Sequence, residues 1–349
     1  MRFVYSTLPS RVVFGAGRVA EIADEVARLG VTRALVLSTP GRAVEAEAVA
    51  ETLGERAAGV FAGARMHTPI DVTEHALAVL REKRADSIVS FGGGSTIGLG
   101  KALAYRTDLP QVAIPTTYAG SEVTPILGQT EAGKKTTLTS PKVLPETVIY
   151  DPDLTRGLPP SVAGPSGVNA IAHAVEALYA EEANPITSMM AEEAIRRLAR
   201  SLPKALTSND NEARADTLCG AWLAGVCLAT AGMALHHKIC HVLGGTFDLA
   251  HADIHCLMLP YAAAYNREAA PKAMARIGDA LAADDAPAAL RALSLQVGRY
   301  EDLQAFGLMP ADLDRAADLA VEKPYYNPRP VTRDDVRAML QAAYEGAAP

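Results

Sequence analysis

The sequence predicts two domains of different class: an α/β domain on a mainly parallel sheet over residues 1–157, then an all-α domain over 158–349. Three observations carry this. Short β-branched runs alternate with helix-period segments between Val12 and Tyr150, the pattern of successive βαβ units. From Leu144 to Gly167 the chain is crowded with Pro and Gly, which marks a boundary. Beyond it helical spacing runs to the end, and 349 residues suffice for two domains at roughly 150 residues each.

In the first half, strands are expected at 12–14 (an edge), 34–38, 59–62, 87–91, 112–114 and 148–150, with helices at 18–29, 42–53, 71–84 and 96–106. Ligands of such sheets bind beyond the carboxyl ends of the strands. There the fourth strand runs into S-F-G-G-G-S-T-I-G-L-G-K, Ser90 to Lys101. Gly92, Gly93 and Gly94 let backbone N–H groups approach a phosphate, and the helix start that follows adds partial positive charge. Ser95 can cap that helix or donate to the phosphate. The spacing is not G-x-G-x-x-G, so a Rossmann-like sheet with a differently placed pyrophosphate site is expected.

The next strand ends in I-P-T-T-Y-A-G-S-E-V-T-P. Thr116, Thr117 and Ser121 place three hydroxyls within six positions, enough to line a ribose, a diphosphate or a carboxamide. Tyr118, in the same loop, is a candidate substrate contact. Residues 128–139 read as a β-hairpin carrying Lys134 and Lys135, of which Lys134 is assigned to the cofactor.

The second half predicts helices at 166–181, 185–201, 210–230, 234–243, 254–265, 268–282, 286–297, 311–320 and 332–345. Asn169 and His173 share a face of the first, with Glu176 one turn further. Five of the eight histidines fall in one short stretch, at His236, His237, His241, His251 and His255. His237 and His241 stand four apart, a spacing that lets two imidazoles share a metal or a substrate. Gly244 and Gly245 are expected to break that helix. His251 and His255 repeat the spacing at the start of the next, so the loop can fold one pair onto the other, with His173 as a third wall.

Composition narrows the classes. A net charge of −7 without a Lys/Arg run excludes a nucleic-acid partner. No stretch approaches the roughly 20 apolar residues of a membrane span. Cys219, Cys227, Cys240 and Cys256 form no C-x-x-C motif and read as reduced thiols, so a cytoplasmic protein is expected.

With G-G-G-S at 92, P-T-T-Y-A-G-S-E-V-T at 115, N-A-I-A-H-A-V-E at 169 and H-K-I-C-H-V-L-G-G followed by A-H-A-D-I-H, the chain resembles the iron-containing alcohol dehydrogenase family over nearly its full length. That family shares its architecture with the dehydroquinate synthases. The resemblance implies an active site between the two domains, NADH or NADPH as cofactor, and a homodimer. Carried over residue by residue, the family's metal ligands fall on Asn169, His173, His237 and His251, and its additional active-site histidine on His241. Asn169 stands where the family has its one anionic ligand, and Gly98 stands where it has an acid. These departures, the doubled histidine at 236, the H-A-D-I-H segment and Y-Y-N-P-R-P near the C-terminus resemble the maleylacetate reductase branch.

Members of that branch generally work without the metal, so none is expected; if one binds, His173, His237 and His251 would hold it. The implied reaction reduces a conjugated C=C in a small dicarboxylate. Hydride entering at the remote carbon leaves an enolate, which a hydrogen-bond donor can stabilise in place of a Lewis acid. His241 or His251 would deliver the proton, Asn169 would donate to the substrate, and its carboxylates would meet His173 or His237 in protonated form, Lys238, or Arg329. After the second strand, Ser38 would contact the cofactor, and Thr39 to Arg42 supply no acid to select a ribose 2′-hydroxyl, so use of both cofactors is expected. The alternative is a metal-dependent alcohol or polyol dehydrogenase of the same family.

Overall fold

The computed structural model describes residues 3–349 except Thr7, Pro9, Ala132, Gly133 and the side chains of Lys134 and Lys135. Two compact units divide the chain near Leu158. In the first, the elements run β1 (Arg11–Phe14), α1 (Ile22–Arg28), β2 (Ala34–Leu37), α2 (Ala43–Leu53), β3 (Ala57–Phe61), α3 (Ile70–Glu82), β4 (Ser87–Gly92), α4 (Gly94–Thr107), β5 (Gln111–Pro115), β6 (Ile126–Glu131), β7 (Lys134–Thr139) and β8 (Thr147–Tyr150).

Six strands form a parallel sheet in the order β1-β8-β5-β4-β2-β3, and β6 pairs with β7 as an antiparallel hairpin. Helices cover both faces, which is why β2 reads as an unbroken apolar run, A-L-V-L. Ala34 and Val36 face a core shared with Val89, Phe91 and Ile114, whereas Leu35 and Leu37 face one with Ile88, Leu99 and Leu103. The chain leaves β2 for β3 on one side and returns to β4 on the other. The carboxyl ends of β2 and β4 therefore flank a topological switch point, where such sheets bind ligands. Ser38 follows the first and Gly93 the second.

The helical unit runs α5 (Pro160–Ala177), α6 (Pro185–Thr207), α7 (Asn211–Thr230), α8 (Leu235–Phe247), α9 (His251–Asn266), α10 (Pro271–Leu281), α11 (Ala286–Val297), α12 (Pro310–Val321) and α13 (Arg333–Tyr344). Caps set several starts: the Asn184 side chain accepts from the N–H groups of Ile186 and Thr187, and Asp210 accepts from Ala213. Leu235, Ile239 and Leu243 of α8 pack with Ile254, Leu257 and Met258 of α9 and with residues of α12 and α13. No single helix among the described residues is long and apolar enough to cross a membrane.

Several boundaries differ from the sequence reading, α6 for one running to Thr207 rather than 201 and α9 starting at His251 rather than 254, and two of the differences have a clear local cause. α5 starts at Pro160, not 166, because Pro160 occupies the first turn, where a missing N–H costs nothing, and the helix accommodates Pro165. α8 continues through Gly244 and Gly245, and the chain turns only at Asp248, in the left-handed region at φ 53°.

Candidate active site

The histidine site is assembled by α5, α8 and α9. Its anchor is Glu176 on α5, fully buried, whose carboxylate accepts from the backbone N–H of Ala234 (3.0 Å) and of His236 (2.8 Å) and from His237 Nδ1 (2.7 Å). An ionised carboxylate only accepts, so His237 carries its proton on Nδ1 and turns the Nε2 lone pair inward. The same carboxylate sits at the N-terminus of α8, where orphan N–H groups and the helix dipole favour negative charge.

Around this anchor the rings touch in series. His173 stacks on His237 with centroids 5.0 Å apart, and His255 meets His237 edge-on at 4.7 Å. His251 lies 4.2 Å from His255 and stacks with His241 at 6.0 Å. His236 Nε2 and His255 Nδ1 share a hydrogen bond of 3.0 Å. The loop thus folds the second histidine pair onto the first, and exposure grades along the series. His236 and His255 are wholly buried, His173 and His237 nearly so, His251 is half-buried, and His241 is exposed.

Burial first, and neighbouring imidazoles second, hold His173, His236 and His255 well below the ordinary histidine range. They are neutral. This corrects the expectation that a protonated His173 meets a carboxylate. Four buried atoms in this region, Asn169 Oδ1, His173 Nδ1, His237 Nε2 and His255 Nε2, have no hydrogen-bond partner. Orphans at that density are what a site keeps for a polar ligand.

Arg329 is committed elsewhere. It ion-pairs with Asp335 at 2.8 Å and lies 4.1 Å over the ring of Tyr265, tying α13 to α9. Its neighbour Asn327 exchanges amide hydrogen bonds with Asn266 and accepts from Leu235 N–H. Y-Y-N-P-R-P thus braces the start of the histidine helix, and Arg329 is corrected from substrate ligand to brace. Lys238 is half-buried and, one residue after His237, projects about 100° away from it.

In the sheet unit the glycine loop and the loop after β5 are face to face. A Cβ on Gly93 would fall 2.8 Å from Thr117 Cγ2, and one on Gly92 would fall 2.5 Å from Thr96 Oγ1. The Thr116 N–H donates to Gly92 O at 3.1 Å. Gly94 is exposed at the first position of α4, and Gly93, Ser95, Thr117 and Ser121 are half-buried, as an anion site at a helix N-terminus requires. Thr116 and Ser38 are buried, and the Ser38 hydroxyl has no partner. Tyr118 is 1% exposed, its ring in the interior, so it is corrected from substrate contact to core residue. The Lys134 side chain lies outside the described residues.

The sequence profile of the iron-containing alcohol dehydrogenases matches residues 9–152, and that of the C-terminal part of the same family matches 164–344. The chain belongs to the iron-containing alcohol dehydrogenase family. Among its iron-containing alcohol dehydrogenase relatives, the maleylacetate reductase of Rhizobium sp. (strain MTP-10005) is 53% identical, over 99% of each chain. The maleylacetate reductase of Sphingobium indicum is 52% identical, over 100% of this chain and 99% of its own. The crystal structure of maleylacetate reductase from Agrobacterium tumefaciens superposes with a TM-score of 0.97 at 52% identity, covering 100% of both chains.

The family name implies iron, and the donor set does not fit it. Non-haem ferrous sites pair imidazoles with a carboxylate, whereas position 169 offers a neutral amide. Glu176, the carboxylate touching the cluster, already accepts three hydrogen bonds. His236, His237 and His255 bring ligand atoms within 4.8 Å of one another, yet the first and last of these are joined by their own hydrogen bond.

The sequence reading named two contributors without giving either a role. Glu176 was visible as one turn beyond His173, and the family's motif gave it no role. His255 was visible in H-A-D-I-H, and only the fold shows it wedged between His236, His237 and His251.

Proposed function

We propose that this chain is a maleylacetate reductase, reducing the conjugated C=C of 2-maleylacetate to 3-oxoadipate with NADH or NADPH. The observation that carries this is identity of about half, end to end, with maleylacetate reductases. Bound NAD(P)H supplies the hydride. The backbone of Gly92, Gly93 and Gly94 with the start of α4 and Ser95 holds its pyrophosphate; Thr116, Thr117, Ser121, Ser38 and Lys134 complete the cofactor contacts.

On the substrate side, His251 hydrogen-bonds the oxygen on which enolate charge develops and gives up the proton, while solvent-facing His241 resupplies it. Neutral His173, together with His237 and Asn169, offers hydrogen bonds to the substrate's polar groups, and Lys238 is the cation for a carboxylate. Charge spread over an enolate needs no Lewis acid, so the reaction runs without a metal. A cytoplasmic homodimer acting in the breakdown of chloro- or hydroxyaromatic compounds completes the reading, and that placement rests on the family likeness.

The test is NADH oxidation with fresh maleylacetate, before and after exhaustive chelation. Turnover that survives chelation is the expected result. Activity lost to the chelator and restored by zinc or iron overturns the metal-free step, and no turnover at all overturns the substrate assignment in favour of a metal-dependent alcohol dehydrogenase.

A further inference from the structure

Lys101 closes the glycine motif and belongs to none of the contacts assigned so far. It lies on α4, two turns past Gly94, with a relative exposure of 0%. Its three N–H donors are met by four acceptors within hydrogen-bond distance of Nζ: Ser121 O (2.5 Å), Thr124 O (2.7 Å), Thr124 Oγ1 (2.9 Å) and Ile126 O (2.9 Å). All four acceptors belong to the segment that ends the loop after β5. The same segment is held from the other side, where the Tyr150 hydroxyl donates to the buried Glu122 carboxylate at 2.7 Å.

Burying a charge is expensive, and an apolar side chain of similar volume is often neutral or stabilising in such a place. An ammonium wrapped by three carbonyls and a hydroxyl therefore fixes geometry. Burial, offset in part by the charge of Glu122, lowers the amine to about 7, so any positioning role comes from the ring of acceptors around it. Four residues before Ser121 in the same loop, Thr117 approaches Gly93 too closely for any Cβ on that glycine.

We infer that Lys101 is a positioning residue for the cofactor: its ammonium pins Ser121 to Ile126, holding the Thr117–Ser121 hydroxyls against the glycine loop in the shape that binds the dinucleotide. The inference rests on the reading that these two loops hold NAD(P)H. Lys101 touches no cofactor atom in this scheme. Its loss weakens binding and leaves the chemical step alone.

The test is NADH affinity of the full-length protein by fluorescence titration, with steady-state kinetics, for Lys101→Met, Lys101→Arg and Thr124→Val. Lys101→Met is expected to raise the NADH Kd and KM by about tenfold or more while kcat at saturating NADH and the KM for the second substrate stay within about threefold, the size of one or two lost charged hydrogen bonds. Lys101→Arg should recover part of the affinity. Thr124→Val keeps the ammonium and its carbonyls but removes the hydroxyl acceptor. It should weaken NADH by about threefold, and it carries the test if Lys101→Met does not fold. Unchanged NADH affinity in a folded Lys101→Met variant, or in Thr124→Val if only that folds, overturns the inference, as does a fall confined to kcat. A wild-type protein that does not bind NADH overturns the cofactor reading itself, a distinguishable failure.

Discussion

Lowering the pH from 7.5 to 5.5 should destabilise the helical unit by an amount that the buried imidazoles set. His173, His236 and His255 all lie well below the ordinary histidine value of 6.5 when folded. Between that depressed value and 6.5 the unfolded chain binds more protons than the folded one. The stability these groups contribute is therefore fully present above pH 6.5 and is lost as the pH falls. At pH 5.5 each unfolded imidazole has gained about 1.4 kcal/mol from protonation, so three give about 4 kcal/mol. Asp253 works the other way, since burial raises its carboxyl, and it offsets part of one proton.

A net loss of about 3–4 kcal/mol is expected, a large fraction of a typical domain's stability. The single tryptophan, Trp222 on α7, reports on the helical unit. Urea unfolding followed by its fluorescence at pH 7.5, 6.5 and 5.5 gives the free energies by linear extrapolation. A change below about 1 kcal/mol would refute the assignment of neutral, buried rings.

Glu176→Gln should keep two of the three hydrogen bonds, cost about 2 kcal/mol of stability, and lower kcat by about tenfold or more by freeing the His237 tautomer; equal kcat in a folded variant would count against the anchor. Arg329→Met should cost about 1–1.5 kcal/mol through the lost ion pair and cation–π contact, with KM for the dicarboxylate unchanged. A large rise in that KM would return Arg329 to the substrate.

Much of this fold could be read from residue order because each βαβ unit announces itself locally. V-V-F, A-L-V-L and S-I-V-S-F are apolar on both faces since helices cover both, and the 128–139 hairpin follows from its alternation. The four-residue histidine spacing was equally local, and it folded as pairs. What stayed hidden depends on distant partners. Gly244 and Gly245 cost a helix roughly 1 kcal/mol each, a debt that the packing of Leu243 against α9 outweighs. Arg329 looked like a free guanidinium until Asp335 and Tyr265 were beside it. Lys101 and Tyr118 sit where a sequence offers no sign of burial, and Glu176 finds His237 only across 61 residues of chain.

One carboxylate joins α5 to the first turn of α8, and α5 also carries Asn169 and His173. The inner wall of the histidine site is therefore a single rigid piece that cannot widen for a larger substrate without giving up Glu176's bonds. The outer wall is built differently: His241 and His251 stand on either side of the short turn at 248–250, where Asp248 takes the left-handed region. Descendants of this enzyme that take a bulkier, halogenated acid would have to remodel that turn first, and the floor of the site would stay the same.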